Sequence, residues 1–195
     1  MMLGAVVALA SLPATAATSI DFSTYAAGTL LASAPGISLS MSGGPGGGTT
    51  PVIGYGSFDS VLSLNNSENW GPDTDGYPTN AILAIDFTLA ANDISFTFAN
   101  YGSGNGTSVR AYGPGGLIST TIIDSVNGFA AVALAATGVT RLEFDNNSGG
   151  IGNWIFGIGQ LSFNAVPEPG TWAMLIAGFG LVGFAARRRN GAVVA

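Results

Sequence analysis

Apolar residues return at every second position through most of the chain. Ile37, Leu39 and Met41 alternate with Ser38, Ser40 and Ser42, and Ile94, Phe96 and Phe98 alternate with Ser95, Thr97 and Ala99. A period of two puts one set of side chains on each face of an extended strand. Shorter apolar runs predict further strands at Ile20–Phe22, Ala81–Leu89, Val109–Tyr112, Leu117–Ile123, Phe129–Leu134, Val139–Phe144 and Trp154–Phe163. Gly, Asn, Asp and Ser punctuate these runs, and Asp124–Gly128, ending in Asn-Gly, reads as a hairpin loop. No segment of this middle region carries a capped helical stripe. The pattern predicts an all-β body, a β-sandwich or jelly roll. Its core would draw on Phe22, Phe58, Phe87, Phe96, Phe98, Phe129, Phe144, Phe156 and Phe163.

Both ends depart from this alternation. Leu3–Leu12 is apolar or small throughout and leads to Pro13-Ala14-Thr15-Ala16, an Ala-x-Ala cleavage pattern. Residues 1–17 therefore read as a secretory signal helix. Such a peptide needs a basic n-region, yet the first basic residue is Arg110, so a start upstream of Met1 is expected. At the other end Pro167-Glu168-Pro169 is followed by the uncharged, glycine-containing run Gly170–Ala186 and then by Arg187, Arg188 and Arg189. Proline fixes φ and disfavours helix in the residue before it, so the first three residues are extended. The 17 residues from 170 to 186 would make a helix of about 25 Å, the short end of a single transmembrane span. The arginines predict that its end stays cytoplasmic.

This tail resembles the PEP-CTERM sorting signal of Gram-negative bacteria in its Pro-Glu-Pro-x-x-Trp-Ala variant. The matching positions are Pro167, Glu168, Pro169, Trp172, Ala173, Gly178, Gly180, Gly183 and Arg187 to Arg189. The resemblance implies that an exosortase, a membrane-embedded cysteine transpeptidase-like enzyme, recognises and removes the tail. It also implies an inner-membrane intermediate, a final place at the cell surface or in the extracellular matrix, and an association with exopolysaccharide. The expected organisation is a signal peptide at 1–17, a sandwich ectodomain at 18–165 and the sorting signal with its membrane helix at 166–190. The body is also similar to jelly-roll ectodomains of exported PEP-CTERM proteins, in Asp21-Phe22, in Ala27-Gly28-Thr29 and in its closing strand Gly157–Phe163. Gly159 and Gln160 stand there in place of two acids, which weakens any calcium site of that kind.

Charge and composition narrow the body's chemistry. Thr18–Ala165 holds two arginines against ten acids, a net charge of −8. That repels nucleic acid and suits divalent cations or neutral glycans. The chain has no Cys, no His and no Lys, which closes most routes to nucleophilic and general-base catalysis. A carboxylate pair for glycoside hydrolysis is available in number but not in evident pairing, so no enzyme is expected. Ser42–Thr49 is a glycine loop without the lysine of a phosphate loop. In the polar loop Asn65–Asn80, Asp73-Thr-Asp75-Gly offers a calcium-like set, weighed against an ordinary Asx turn. Trp70 and Tyr77 in the same loop are candidates for stacking on sugar rings. The expected function is a structural or adhesive surface protein; the alternatives are a carbohydrate-binding module and, behind it, a small glycan-active enzyme.

Overall fold

The computed structural model describes residues 17–42, 49–53, 61–63, 82–100, 107–123, 128–146, 156–166 and 169–191. The strands are β1 (Ala17–Asp21), β2 (Ser33–Ala34), β3 (Ile37–Ser42), β4 (Val52–Ile53), β5 (Leu62–Ser63), β6 (Ile82–Asn100), β7 (Thr107–Gly113), β8 (Gly116–Ile123), β9 (Gly128–Ala133), β10 (Val139–Asn146) and β11 (Phe156–Ala165). One helix, α1 (Pro169–Gly191), follows them.

Strand β6 organises the body. Its first half pairs with β3 and β10, and its second half pairs with β9 and β11. The ladder thus folds over into two layers that share one strand. One layer runs β2-β3-β6-β10-β7-β8; the other runs β9-β6-β11, with β1 and the β5-β4 pair on the far side of β11. Ring contacts show that the layers face each other. Phe144 of β10 meets Phe96 edge-on at 5.2 Å and stacks on Phe156 at 5.9 Å, and Phe87 meets Phe163 at 4.9 Å. Edge and offset geometries of this kind favour aromatic packing beyond area alone.

The alternation read from the sequence holds in β3, whose Ile37, Leu39 and Met41 are buried. It also explains an irregularity. Inward positions in β6 are Leu83, Ile85 and Phe87 before the corner, but Ile94, Phe96 and Phe98 after it, a change of phase. Asp93 absorbs that step with φ +50°, opposite a register shift in β11, as a bulge does. The sequence predicted two strands here, broken at Ala90–Asp93; the bulge lets the chain continue as one. β11 repeats the device, its buried positions passing from Phe156 and Ile158 to Leu161 and Phe163 across a bulge at Gly159–Gln160.

Phe129 was expected in the core and is instead 59% exposed. Its partner across the ladder is Ala99, on the face of β6 opposite Phe98 although itself buried, so the register of β9 turns Phe129 away from the core and Ala130 and Val132 toward it. Phe58 lies outside the described residues, as do residues 1–16 of the signal helix expected at 1–17, whose Ala17 instead opens β1, most of the glycine loop and the polar loop with Trp70, Asp73, Asp75 and Tyr77.

Candidate functional site

The body ends at a defined point. The N–H of Val166 donates to the carbonyl of Ala90 at 2.7 Å, tying the residue just after the body to the corner of β6. Helix α1 opens at Pro169, where the missing N–H costs nothing because the first helical donors have no intrahelical acceptor. Pro167 and Glu168 lie between and outside the described residues. Trp172 and Arg187 to Arg189 fall within α1, and Arg187 is exposed.

Met174, Leu175, Ile176, Phe179, Leu181, Val182 and Phe184 are 48–75% exposed. At 3.6 residues per turn these seven positions spread round the whole circumference of the helix, leaving no polar face. A β carbon built on Gly178, Gly180 or Gly183 would meet nothing within 4 Å. A helix that is apolar on every side belongs in a protein core or in lipid. Among the described residues, however, no helix is long and apolar enough to cross a membrane.

A second constellation lies on the outer face of the β3-containing layer. Register aligns Asp86, Arg141 and Tyr112 in one row across β6, β10 and β7, and Glu143 with Arg110 in the next. Arg141 Nη1 donates to both oxygens of Asp86 at 2.9 and 3.0 Å, and its Nε donates to Glu143 at 3.0 Å. Arg110 Nη2 donates to Asp145 at 2.7 Å, while its Nε sits 3.6 Å from Glu143. Burial alone would lower Arg141, but its bonds to Asp86 and Glu143 outweigh that and raise the guanidinium further. Burial, helped by Glu143, likewise raises the Tyr112 phenol. Both basic residues of the body are used here, although the sequence reading left its charges unpaired. The clue was present in Arg141, Glu143 and Asp145, which alternate with Leu142 and Phe144 and so share a face. Each of these carboxylates faces a guanidinium on a strand surface, not the opposite wall of a cleft, an arrangement suited to holding strands together.

The other outer face carries a shallow groove of about 110 Å³ lined by Ser95, Phe96, Thr97, Ala131, Val132, Gln160 and Ser162. That is below the roughly 300–1,000 Å³ of an ordinary small-molecule site. Among the described residues no three His, Cys, Asp or Glu side chains gather as a metal site. At the start of the body Asp21 accepts from Ser23 N–H at 2.9 Å, and its bonds to Ser23 lower its carboxyl.

Fold and tail together define a β-sandwich joined, through the three residues 166–168, to a helix without a polar face that carries three arginines near its end. Residues 165–189 match the family model of the PEP-CTERM protein-sorting motif, so the chain carries that motif. The motif implies export, handling by an exosortase and a membrane-anchored intermediate. No curated protein matches the chain. Among solved structures, an arginine-to-alanine mutant of CBM29-2 is 14% identical with a TM-score of 0.45, covering 79% of this chain and 99% of that one. A family 29 carbohydrate binding module is 12% identical at 0.43, covering 79% and 96%. The lectin binding domain of Lectinolysin, in complex with Lewis b, is 14% identical at 0.35, covering 45% of this chain and 66% of that one. Overlap this loose assigns no ligand, and the two layers rest on register and ring contacts alone.

Proposed function

We propose that the chain is an exosortase substrate whose sandwich, residues 18–165, is delivered to the cell surface or extracellular matrix as a structural or adhesive component associated with exopolysaccharide. The observation that carries this is the coincidence of the motif, residues 165–189, with a helix that has no polar face. In this scheme Arg187 to Arg189 hold the end of α1 in the cytoplasm, because guanidinium groups cross an apolar layer only at high cost. The uncharged part of α1, about 25 Å, is shorter than the roughly 30 Å hydrocarbon layer, so it inserts only with local thinning. Weak retention suits an intermediate that is to be cut. The Pro167-Glu168 segment, just ahead of the first helical residue Pro169, is then the stretch the enzyme would engage at the outer surface.

The mass of the mature protein, measured from cells with and without the sorting enzyme, tests this. Maturation should remove Trp172 to Arg189. Alanine at positions 167 to 169 should leave a full-length membrane form, and serine at 187 to 189 should let unprocessed chain escape. Normal maturation of the triple-alanine chain would leave a plain anchor as the better account.

Carbohydrate binding is the second reading, favoured by the uncharged Ser95, Thr97, Gln160 and Ser162 groove and by Trp70 and Tyr77 as stacking residues. The groove is too small to bury a ligand, which ranks this reading below the first. A glycan array with the purified body separates the two. Calcium at Asp73 and Asp75 is a separate proposal. Chelator should lower the melting temperature, and Asp75→Ala should abolish the difference; a melting curve indifferent to chelator leaves an ordinary turn.

A further inference from the structure

Strand β8 ends its layer. It pairs with β7 on one side, and among the described residues no strand pairs with the other. An open edge offers a row of free N–H and C=O groups, and natural edges are usually guarded by Lys, Pro, brevity or a strong bulge. β8 is eight residues long and has neither charge nor proline. Its single irregularity, where Ile118 is the extra residue facing Ala111 and Tyr112, lies at its start. Leu117, Ile118 and Ile122 are 57%, 45% and 54% exposed.

The sequence of this edge reads alike in both directions. Leu117-Ile-Ser-Thr-Thr-Ile-Ile123 is centred on Thr120. Laid antiparallel on itself about that residue, it sets Leu117 against Ile123, Ile118 against Ile122, Ser119 against Thr121 and Thr120 against its own copy. From Ile118 to Ile122 like meets like, isoleucine on isoleucine and hydroxyl on hydroxyl; Leu117 lies beyond the bulge, opposite Tyr112, and so on the other face from Ile123. Slipping the register by one residue sets isoleucine against Ser or Thr and turns each strand's faces over. Self-complementarity about a two-fold axis is what an interface between identical chains requires. Charge permits the approach. Although the body is strongly acidic, the charge that faces this strand among the described residues is Arg110, opposite Thr120 and already paired with Asp145, while Asp124, next after β8 in sequence, lies outside the described residues.

We propose that β8 pairs edge to edge with β8 of a second copy, antiparallel about an axis through Thr120, so that the β7-β8 layers of two molecules form one sheet. Cysteine pairing tests the register directly, because the chain has no cysteine of its own. Paired strands bring opposed Cα atoms to about 4.5–5.5 Å, inside the range a disulfide spans. Full-length Thr120→Cys protein, purified in detergent and mildly oxidised, should run as a dimer without reductant. Ile118→Cys alone and Ile122→Cys alone should stay monomeric, since each lies about 14 Å from its own copy at ~3.4 Å per residue. Mixed together, those two should link. Adding Ile122→Lys to the Thr120→Cys chain should abolish the link while the far-UV spectrum stays that of the parent. A Thr120→Cys chain that folds but remains monomeric overturns the proposal. So does equal linking at all three positions, which is what association through α1 would give. Linking of Thr120→Cys to Phe129→Cys in place of itself also overturns it, in favour of an open array.

Discussion

Gly157 shows how little room the seam of the second layer leaves. A β carbon there would lie 2.8 Å from Cβ of Val61, which is itself buried. Gly157→Ala should therefore destabilise the body by about 1–3 kcal/mol through overpacking, seen as a lower denaturant midpoint with unchanged slope. Tyr112 makes a different kind of demand. Its phenol is raised in the folded state, so the fold holds that proton more tightly than the unfolded chain does. The associated stability is complete below the ordinary tyrosine value near 10 and is lost as pH rises through the folded value. Tyr112→Phe should accordingly flatten the fall in stability measured by denaturant titration above about pH 10. An unchanged alkaline slope would mean that Tyr112 is not the group responsible.

Among elements, those whose pattern is local were legible in the sequence. β3 follows from period two, β7, β8 and β10 from short apolar runs bounded by turn residues, and α1 from an uncharged run closed by arginines. The sorting segment was readable for the same reason, since its parts are contiguous. What the sequence left open depends on partners far along the chain. Phe129 is as apolar as Phe144, and only the pairing of β9 with β6 decides that one faces water and the other the core. Ala90-Ala-Asn-Asp93 reads as a turn, yet Asp93 takes a left-handed conformation and β6 passes from one layer to the next. Asn92 helps to fix that corner by accepting from Gly138 N–H at 2.7 Å, a contact 46 residues away in sequence. The charged rows escaped notice because Arg110 and Asp145 are 35 residues apart. The loop with Trp70, Asp73, Asp75 and Tyr77 lies outside the described residues.

At the scale of the whole molecule, β11 is the central strand of its layer, flanked by β6 on one side and by β1 and β5 on the other. Residues 18–165 expressed alone should fold as a soluble β protein, because both apolar ends lie outside them. A chain stopped before Phe156 should lose its cooperative thermal transition, because β1 and the β5-β4 pair would have no strand to join. Circular dichroism with thermal melting checks both, and a helical spectrum from the longer piece or a sharp transition in the shorter one would count against this account.

The antiparallel seam of Ala17 with Asn164 and Thr18 with Phe163 also sets an order of events. In an exported chain the first strand to emerge has no partner until nearly the whole body has followed it. At ordinary synthesis rates of about 5–20 residues per second that wait is on the order of 10–30 s. The strand that ends the wait is the last one before the sorting motif. On the proposed scheme, completion of the fold and arrival of the sorting motif at the membrane would fall together, and an enzyme acting on the tail would meet a chain whose body has only then become able to close.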